Sequence, residues 1–561
     1  MRKLHKEQAL ELLRTLYSAS NELKEYSGDQ FIDLCADIQE FIEGIYTYFV
    51  DVFGNEHKFT IQVEKLFEKI YMVAQKQIES QSLSAEVAQF ITELEATMPD
   101  KIEVVFFCYK ASMSDCFESV YFAAKKDPSC DAYFVPIPYF DRNEDGTFGE
   151  EHLEGEGYYS DEYELTNWQE YDVEARKPDV IFIMNPYDDG NKVTSVHPFF
   201  YSKRLKQHTG CLVYIEYGLP YYIYNNPLDD KVQEEIKNST LFFPALLYSD
   251  VDIRYSKQLA DLHKQRFLLN PEILKKCNFD IETKHQALGS PKFDKIYNTK
   301  RDSYNIPKEW ADKIVDKKVI LYNTSIEELL RASNQQKNEE GEYSPENNRY
   351  FIKLKTILKD VQANDNVILW WRPHPLFAAT LHSIHPQLAE EYNNIVDNYI
   401  NENKGIFDNT EDLHRAIAYS DAMISDRSSL LLLYTATGKP FYIPSISKKL
   451  KNPKIDSGKD FHEPLNRRLM NMRNATGSNI GNWNLCIWWD GFLEEDVIRN
   501  THFENYTDRF LDYVVNCEKY EEAEEYKNLQ LKMISDFVVN SDGTAGQKIY
   551  DYIKKKCTER E

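Results

Sequence analysis

Near-continuous apolar runs of strand length recur along this chain, and each ends abruptly in polar residues. Ile102-Glu103-Val104-Val105-Phe106-Phe107-Cys108-Tyr109 runs into Lys110-Ala111-Ser112-Met113-Ser114-Asp115, after which Cys116 to Lys126 has helical spacing. Ala132 to Ile137, Asp179 to Met184 and Cys211 to Ile215 repeat the theme, the last ending in Glu216-Tyr217-Gly218-Leu219-Pro220. A second series follows: Val319 to Tyr322 leads to Asn323-Thr324-Ser325 and a helix from Ile326 to Ala332, Asn366 to Trp371 leads to Arg372-Pro373-His374-Pro375, and Ala422-Met423-Ile424 leads to Ser425-Asp426-Arg427-Ser428-Ser429. Strands alternating with helices at this pitch predict βαβ units and parallel sheets. Open α/β sheets bind ligands at the carboxyl ends of their strands, where these polar residues fall.

At 561 residues the chain is too long for one core. The expected organisation is an N-terminal helical domain over 1–98, closed by Pro99, a first sheet domain over 99–305, a second over 306–475, and a helical extension over 476–561. Leu10, Leu13, Leu16 and Tyr17, then Phe31, Leu34, Cys35, Ile38 and Phe41, recur at helical spacing in the first block. Such stripes bury a face; membrane or partner docking is the alternative. The stretch Asp141 to Tyr171, rich in Asp, Glu, Gly and Tyr, reads as an exposed loop. Pro440 to Pro444 reads as the last strand of the second sheet. Phe503 to Tyr520, Glu521 to Val538 and Gln547 to Lys556 read as helices.

Hydrophobic residues make up 42%, and 31 Phe, 38 Tyr and 7 Trp supply enough buried surface for a globular protein. A net charge of −26 argues against nonspecific nucleic-acid binding, which rests on Lys and Arg facing phosphates. The basic run Lys448, Lys449, Lys451 and Lys454 reads as a solvated loop or as a local basic cleft. Nine scattered cysteines without a C-x-x-C pair indicate neither zinc nor a disulfide framework. His374, His382 and His385 lack the carboxylate or thiolate company of a metal set; no metal or cofactor is expected. Gly-x-Ser-x-Gly does not occur. Met1 to Lys6 opens a charged helix rather than a signal peptide, and no apolar run approaches the roughly 18 residues of a spanning helix. The expectation is a cytoplasmic protein.

Three clusters carry the chemistry. In Ser425 to Ser429, Asp426 reads as the N-cap of the apolar helix that follows, with Ser428 and Ser429 in its first turn. A helix start offers unpaired N–H groups and favours negative charge, so two hydroxyls there can seat a phosphate. The same residues also read as a plain cap. In Arg372-Pro373-His374-Pro375, Arg supplies a planar fork for phosphate oxygens, and His donates to an anion or moves a proton; His374 also reads as capping a neighbouring turn. Thr324 and Ser325 are weaker candidates for the same anion. Tyr221-Tyr222-Ile223-Tyr224 suits a sugar or glycerol site, or core packing.

The Arg372 to Pro375 turn, Ser425 to Ser429 with its helix and Gly438-Lys439-Pro440, and Gly289-Ser290-Pro291-Lys292-Phe293-Asp294 resemble the CDP-glycerol glycerophosphotransferase family, of teichoic acid polymerase and primase type. The resemblance is sharpest between Gly289 and Pro444. It implies a GT-B fold, two facing Rossmann-like domains. It also implies attack of an acceptor hydroxyl, on a polyol or glycan, at the glycerol-bearing phosphorus of CDP-glycerol with CMP leaving, and a peripheral hold on the inner face of a bacterial membrane, which the net charge does nothing to support. Arg372, His374, Ser428 and Ser429 would then grasp the diphosphate and Asp426 would orient their turn. The family's Trp-His-Gly-Thr-Pro motif, whose His looks like the general base, corresponds to Glu216 to Pro220, with Tyr217 at the His position. Tyrosine, with a pKa near 10, is a poor base at pH 7. Glu216 or Asp115 is the substitute, or each is an ordinary structural carboxylate. Leu433 stands where the family often has Asp. The alternatives are a GT-B enzyme using a nucleotide sugar and a non-catalytic nucleotide-binding relative.

Overall fold

The computed structural model describes residues 2–98, 101–143, 145–191, 193–219, 242–326, 329, 348–375, 377–384, 386–410, 412–426, 428–445, 489–492, 504–519 and 523–558. The helix expected from Ile326 to Ala332, the Tyr221 to Tyr224 cluster, the Lys448 to Lys454 run, Pro99, Pro220, His385 and Arg427 lie wholly or mostly outside these residues. The chain divides into two compact units, one of residues 1–104, 124–133 and 178–180, the other of the remainder.

The first unit is built on four helices, α1 (Lys3–Glu22), α2 (Asp29–Phe53), α3 (Lys58–Ala74) and α4 (Gln81–Thr97). Leu13, Leu16, Ile38, Ile42, Ile45, Val63, Ile70, Val87 and Leu94 form one buried core, the helical stripe read from the sequence continued onto α3 and α4. Phe49, Phe59 and Phe90 meet at its centre, with ring centroids 5.6–5.7 Å apart where Phe90 contacts the other two.

Among the described residues nine strands follow in order: β1 (Ile102–Cys108), β2 (Cys130–Pro136), β3 (Tyr139–Arg142), β4 (Phe148–His152), β5 (Val180–Ile183), β6 (Thr194–Val196), β7 (Cys211–Ile215), β8 (Val251–Arg254) and β9 (His285–Ala287). Six of them make a sheet in the order β2-β1-β5-β7-β8-β9. Strands β1, β5 and β7 are buried at every residue, which is why they read as unbroken apolar runs. The stretch Asp141 to Tyr171 is not the loop its composition predicts. Strands β3 and β4 pair antiparallel, β6 adds to β3, and the three form a sheet of their own. Tyr163 packs its ring 4.8 Å from Phe134 and stacks at 5.7 Å on Tyr121, so tyrosines in an acidic background do core work.

The second sheet comprises β10 (Lys318–Thr324), β11 (Val367–Pro373), β12 (Ile406–Phe407), β13 (Ala422–Ser425), β14 (Phe441–Ser445) and β15 (Trp489–Phe492), in the order β12-β11-β10-β13-β14-β15, parallel throughout. Counted from β10 that order is 3-2-1-4-5-6, the doubly wound Rossmann order. The described residues are thus α/β, with two six-stranded sheets, the small β4-β3-β6 sheet and helices at both ends of the chain. Phe510, Leu511, Val514, Ile534 and Phe537, from helices Glu504–Val515 and Ala523–Phe537, complete the second sheet's core.

The Gly289 to Asp294 motif is structural. Gly289 has φ +97, and a Cβ there would sit 2.4 Å from the Val539 carbonyl oxygen, so only glycine fits. Ser290 caps helix Pro291–Asn298, and the Asp294 carboxylate accepts from Ser119 Oγ and from the Ala545 and Gly546 amides that open the last helix. Lys439 of the Gly-Lys-Pro motif donates to the Ile417 and Ser420 carbonyls (both 2.7 Å), closing helix Leu413–Tyr419 at its carboxyl end.

Candidate functional site

In the 3-2-1-4-5-6 order the strand order reverses between β10 and β13, the switch point at which open α/β sheets form a crevice. Asn323, near the end of β10, lies in register with Ser425 at the end of β13. Its amide donates to Ser425 Oγ (3.1 Å) and to Ser428 Oγ (3.0 Å). The two polar clusters expected from the sequence are therefore joined by one side chain that the sequence reading did not single out.

Asp426 departs from the expected capping role. It is fully buried, accepting from the Ser325 amide (2.8 Å), the Tyr350 hydroxyl (2.6 Å) and the Lys353 ammonium (2.5 Å). A wholly buried ammonium demands a carboxylate, and that demand draws Asp426 inward. The helix Leu430–Thr435 begins instead at Ser429, in helical torsions with no side-chain cap bond, so Ser428 and Ser429 precede the first turn rather than lie in it. Ser428 is partly exposed and Ser429 exposed.

The turn after β11 splits its two functional candidates. Arg372 is buried, its guanidinium 3.0 Å from Asp408 Oδ2 and donating to the Thr410 carbonyl. Asp408 also accepts from Trp370 Nε1 and from the Thr410 amide and hydroxyl. The fork expected to meet a phosphate is thus engaged within the protein. His374 is exposed, its backbone amide bonded to the Thr324 carbonyl (3.0 Å). Desolvation by the surrounding protein, then the Lys110 ammonium, draws its pKa down to about 4. Water at the exposed ring offsets part of that desolvation, but the direction leaves a neutral imidazole at pH 7. Thr324 is buried, its hydroxyl taking the Trp371 indole N–H (3.3 Å), and Ser325 is buried beside Asp426.

The carboxyl ends of the first sheet meet these serines. A cavity of about 380 Å³ is lined by Tyr187 after β5, Tyr214, Glu216 and Tyr217 of the β7 end, and Arg254 of β8. Ser428 and Ser429 of the second sheet line the same cavity, with Phe243 and His263. Glu216 Oε2 lies 2.5 Å from Arg254 Nη1, and Arg254 is held from behind by Asp252 (2.9 Å), itself 2.5 Å from His285 Nδ1. Burial raises the Glu216 pKa and Arg254 opposes it, with a net shift upward. Burial drives the Tyr217 hydroxyl far above its usual value of 10, so it stays protonated. Asp115, the other candidate base, is buried between Lys292 (2.5 Å) and His414 Nε2 (2.9 Å). Burial would raise its pKa, but Lys292 and then His414 outweigh it and hold the carboxyl well below its usual range. A carboxylate so stabilised is a weak base. Leu433 is core.

His382 is exposed on helix Phe377–Ile384. Among the described residues no group of three or more His, Cys, Asp or Glu is placed to hold a metal ion.

Residues 270–448 match the family model described as CDP-Glycerol:Poly(glycerophosphate) glycerophosphotransferase, a stretch that spans β10, β11, β13 and β14 of the second sheet. Among solved structures, the wall teichoic acid polymerase TagF is 14% identical, with 89% of this chain and 98% of that chain covered and a TM-score of 0.41. A UDP-N-acetylglucosamine 2-epimerase is 12% identical over 83% and 98%, TM-score 0.41. MnaA of S. aureus, solved with UDP, is 13% identical over 82% and 97%, TM-score 0.38. A search of curated proteins gave no match.

Proposed function

We propose, starting from a chain whose residues 270–448 match the glycerophosphotransferase model, that this protein transfers glycerol phosphate from CDP-glycerol to a hydroxyl acceptor and releases CMP. The acceptor is a polyol or glycan of a wall or capsular polymer. The observation that carries the proposal is the shared cavity, which puts Glu216 of the first sheet and Ser428 and Ser429 of the second against one volume. Residues 99–305 are the acceptor side in this reading and 306–475 the donor side.

Phosphoryl transfer asks a protein for position and charge stabilisation more than covalent help. Ser428, Ser429 and the neutral imidazole of His374 donate hydrogen bonds to the diphosphate oxygens, while Asn323 fixes Ser428 and Asp426 fixes the turn. The acceptor oxygen bonds to the glycerol-bearing phosphorus, the bond from that phosphorus to the CMP oxygen breaks, and the acceptor proton passes to Glu216. The upward shift of the Glu216 pKa suits a proton acceptor working near neutral pH. Arg372, Thr324 and Ser325 support the site from within rather than touching the donor. Among the described residues no helix is long and apolar enough to cross a membrane. The enzyme works in the cytoplasm and reaches its acceptor at the inner membrane face.

The test is to incubate purified protein with CDP-glycerol, and separately with nucleotide sugars, and to measure released CMP, UMP and UDP. CMP release that falls at least tenfold in His374→Ala and in Glu216→Gln supports the proposal. UMP or UDP release instead would move it to a sugar transferase. Tight CDP binding without turnover on any donor would make it a non-catalytic relative, the reading that Tyr217 and Leu433 favour.

A further inference from the structure

The wall of the cavity opposite the serines has a composition that selects its occupant. Tyr187, Tyr214, Tyr217 and Phe243 offer apolar ring faces. The charges between them are already answered: Arg254 lies between Glu216 and Asp252, and Glu216 is at 2.5 Å from Arg254. An anionic ligand would meet the Glu216 carboxylate without an uncommitted cation among the described lining residues, and a cationic ligand would compete with Arg254. Hydrogen-bonding capacity remains, however. His263, on helix Lys257–Leu268, is 9% exposed, lines the cavity, and has no hydrogen-bond partner at Nδ1 among the described residues. A buried, unsatisfied polar atom costs about 1–3 kcal/mol unless a ligand meets it.

We infer that His263 is a specificity-determining residue of the acceptor site proposed above, reading the hydroxyls of a neutral polyol or sugar ring held against this wall. Aromatic faces take the C–H surface of such a group, and the few polar side chains fix its orientation. The cavity, about 380 Å³, lies at the small end of ligand pockets, which span roughly 300–1,000 Å³. Burial, then the Arg254 charge, holds the His263 imidazole neutral, so the ring contributes one donor and one acceptor rather than a charge. The ligand's role as acceptor rests on the transferase reading above; its chemical class rests on the wall.

Saturation-transfer NMR on the full chain tests this, with CDP present to fill the donor seat and glycerol, ribitol or glycerol 3-phosphate as probe. Glycerol and ribitol should bind, and His263→Ala should weaken both about three- to tenfold, the worth of one hydrogen bond. His263→Gln, which restores a donor and an acceptor, should recover part of the loss. Three results would overturn the inference: no polyol binding by the wild type, equal binding by a folded His263→Ala protein, or tighter binding of glycerol 3-phosphate than of glycerol. If His263→Ala misfolds by circular dichroism, His263→Phe, which keeps a ring but offers no donor or acceptor, decides: unchanged polyol affinity overturns the inference and a roughly three- to tenfold loss supports it. Polyol binding that persists without CMP release from CDP-glycerol would count against the transferase reading alone.

Discussion

Asp426 and Lys353 are both wholly buried, which makes the pair a sharp test of what holds the candidate donor site in shape. Lys353→Met removes the ammonium and leaves a carboxylate with the Ser325 amide and Tyr350 hydroxyl as its remaining described donors. Breaking a buried pair by deleting one partner costs about 3–5 kcal/mol, because the other charge remains in a low dielectric. Asp426→Asn should cost a similar amount from the other side, with the ammonium left over. The double variant leaves no buried charge, so it should be less destabilised than the sum of the singles by about 2–3 kcal/mol. Urea unfolding followed by tryptophan fluorescence reads this out, since Trp370 and Trp371 are buried in the second sheet's core. CDP affinity measured on the folded variants should fall with Asp426→Asn, whose side chain positions the turn bearing Ser428. Single-variant costs below about 1 kcal/mol, as for exposed pairs, or an additive cycle, would refute the reasoning.

The other expectations concern neighbouring groups. Arg372→Ala should cost about 3 kcal/mol of stability by removing the guanidinium 3.0 Å from the buried Asp408 carboxylate, whereas His374→Ala, at an exposed site, should stay within about 0.5 kcal/mol while CDP binding measured by calorimetry weakens. Gly289→Ala should cost about 3 kcal/mol or more in a thermal melt, from its positive φ and the Val539 carbonyl at 2.4 Å. Asp115 has a folded pKa below its unfolded one, so its contribution is full above about pH 4 and is lost as pH falls through the folded value; acid titration of Asp115→Asn should be flatter than wild type over that range. CDP affinity should weaken less than about threefold between 50 and 500 mM salt, since neutral donors are little screened; a steep slope would point to Arg427 or the Lys448 to Lys454 run.

What the sequence disclosed was whatever depends on neighbours along the chain. Strands β1, β5, β7, β10, β11 and β13 announced themselves because burial on both faces leaves an unbroken apolar run, and their polar ends marked where a ligand site belongs. Partnerships across the fold were hidden. Nothing near Asp426 signals that Lys353, on helix Arg349–Gln362, will draw it inward, and nothing near Arg372 reveals that Asp408 after β12 will occupy its fork. Arg254 and His263 went unnoticed for the same reason: β8 is only four residues long, and its charged members are buried as a paired set that composition cannot distinguish from surface charge. The β3-β4-β6 sheet was missed because its strands are short and β4 is largely exposed, so alternation is weak where acidic residues dominate.

These partnerships also explain why the site is chemically quieter than its motifs suggest. Arg372 meets Asp408, Lys353 meets Asp426, Arg254 meets Glu216 and Asp252, and Lys292 meets Asp115. Each pairing sits at or near a strand's carboxyl end, where an unpaired charge would be costly unless a ligand were always bound. With these charges committed, the groups at the cavity and the turn beside it include the Ser428 and Ser429 hydroxyls and two imidazoles, His374 and His263, whose pKa values burial draws down. A crevice built this way holds its shape when empty, because its cations are satisfied by the protein. In the proposed reaction it would orient a diphosphate by hydrogen bonds from fixed donors, preorganised for charge that develops during transfer rather than neutralised by charge already present in the ground state.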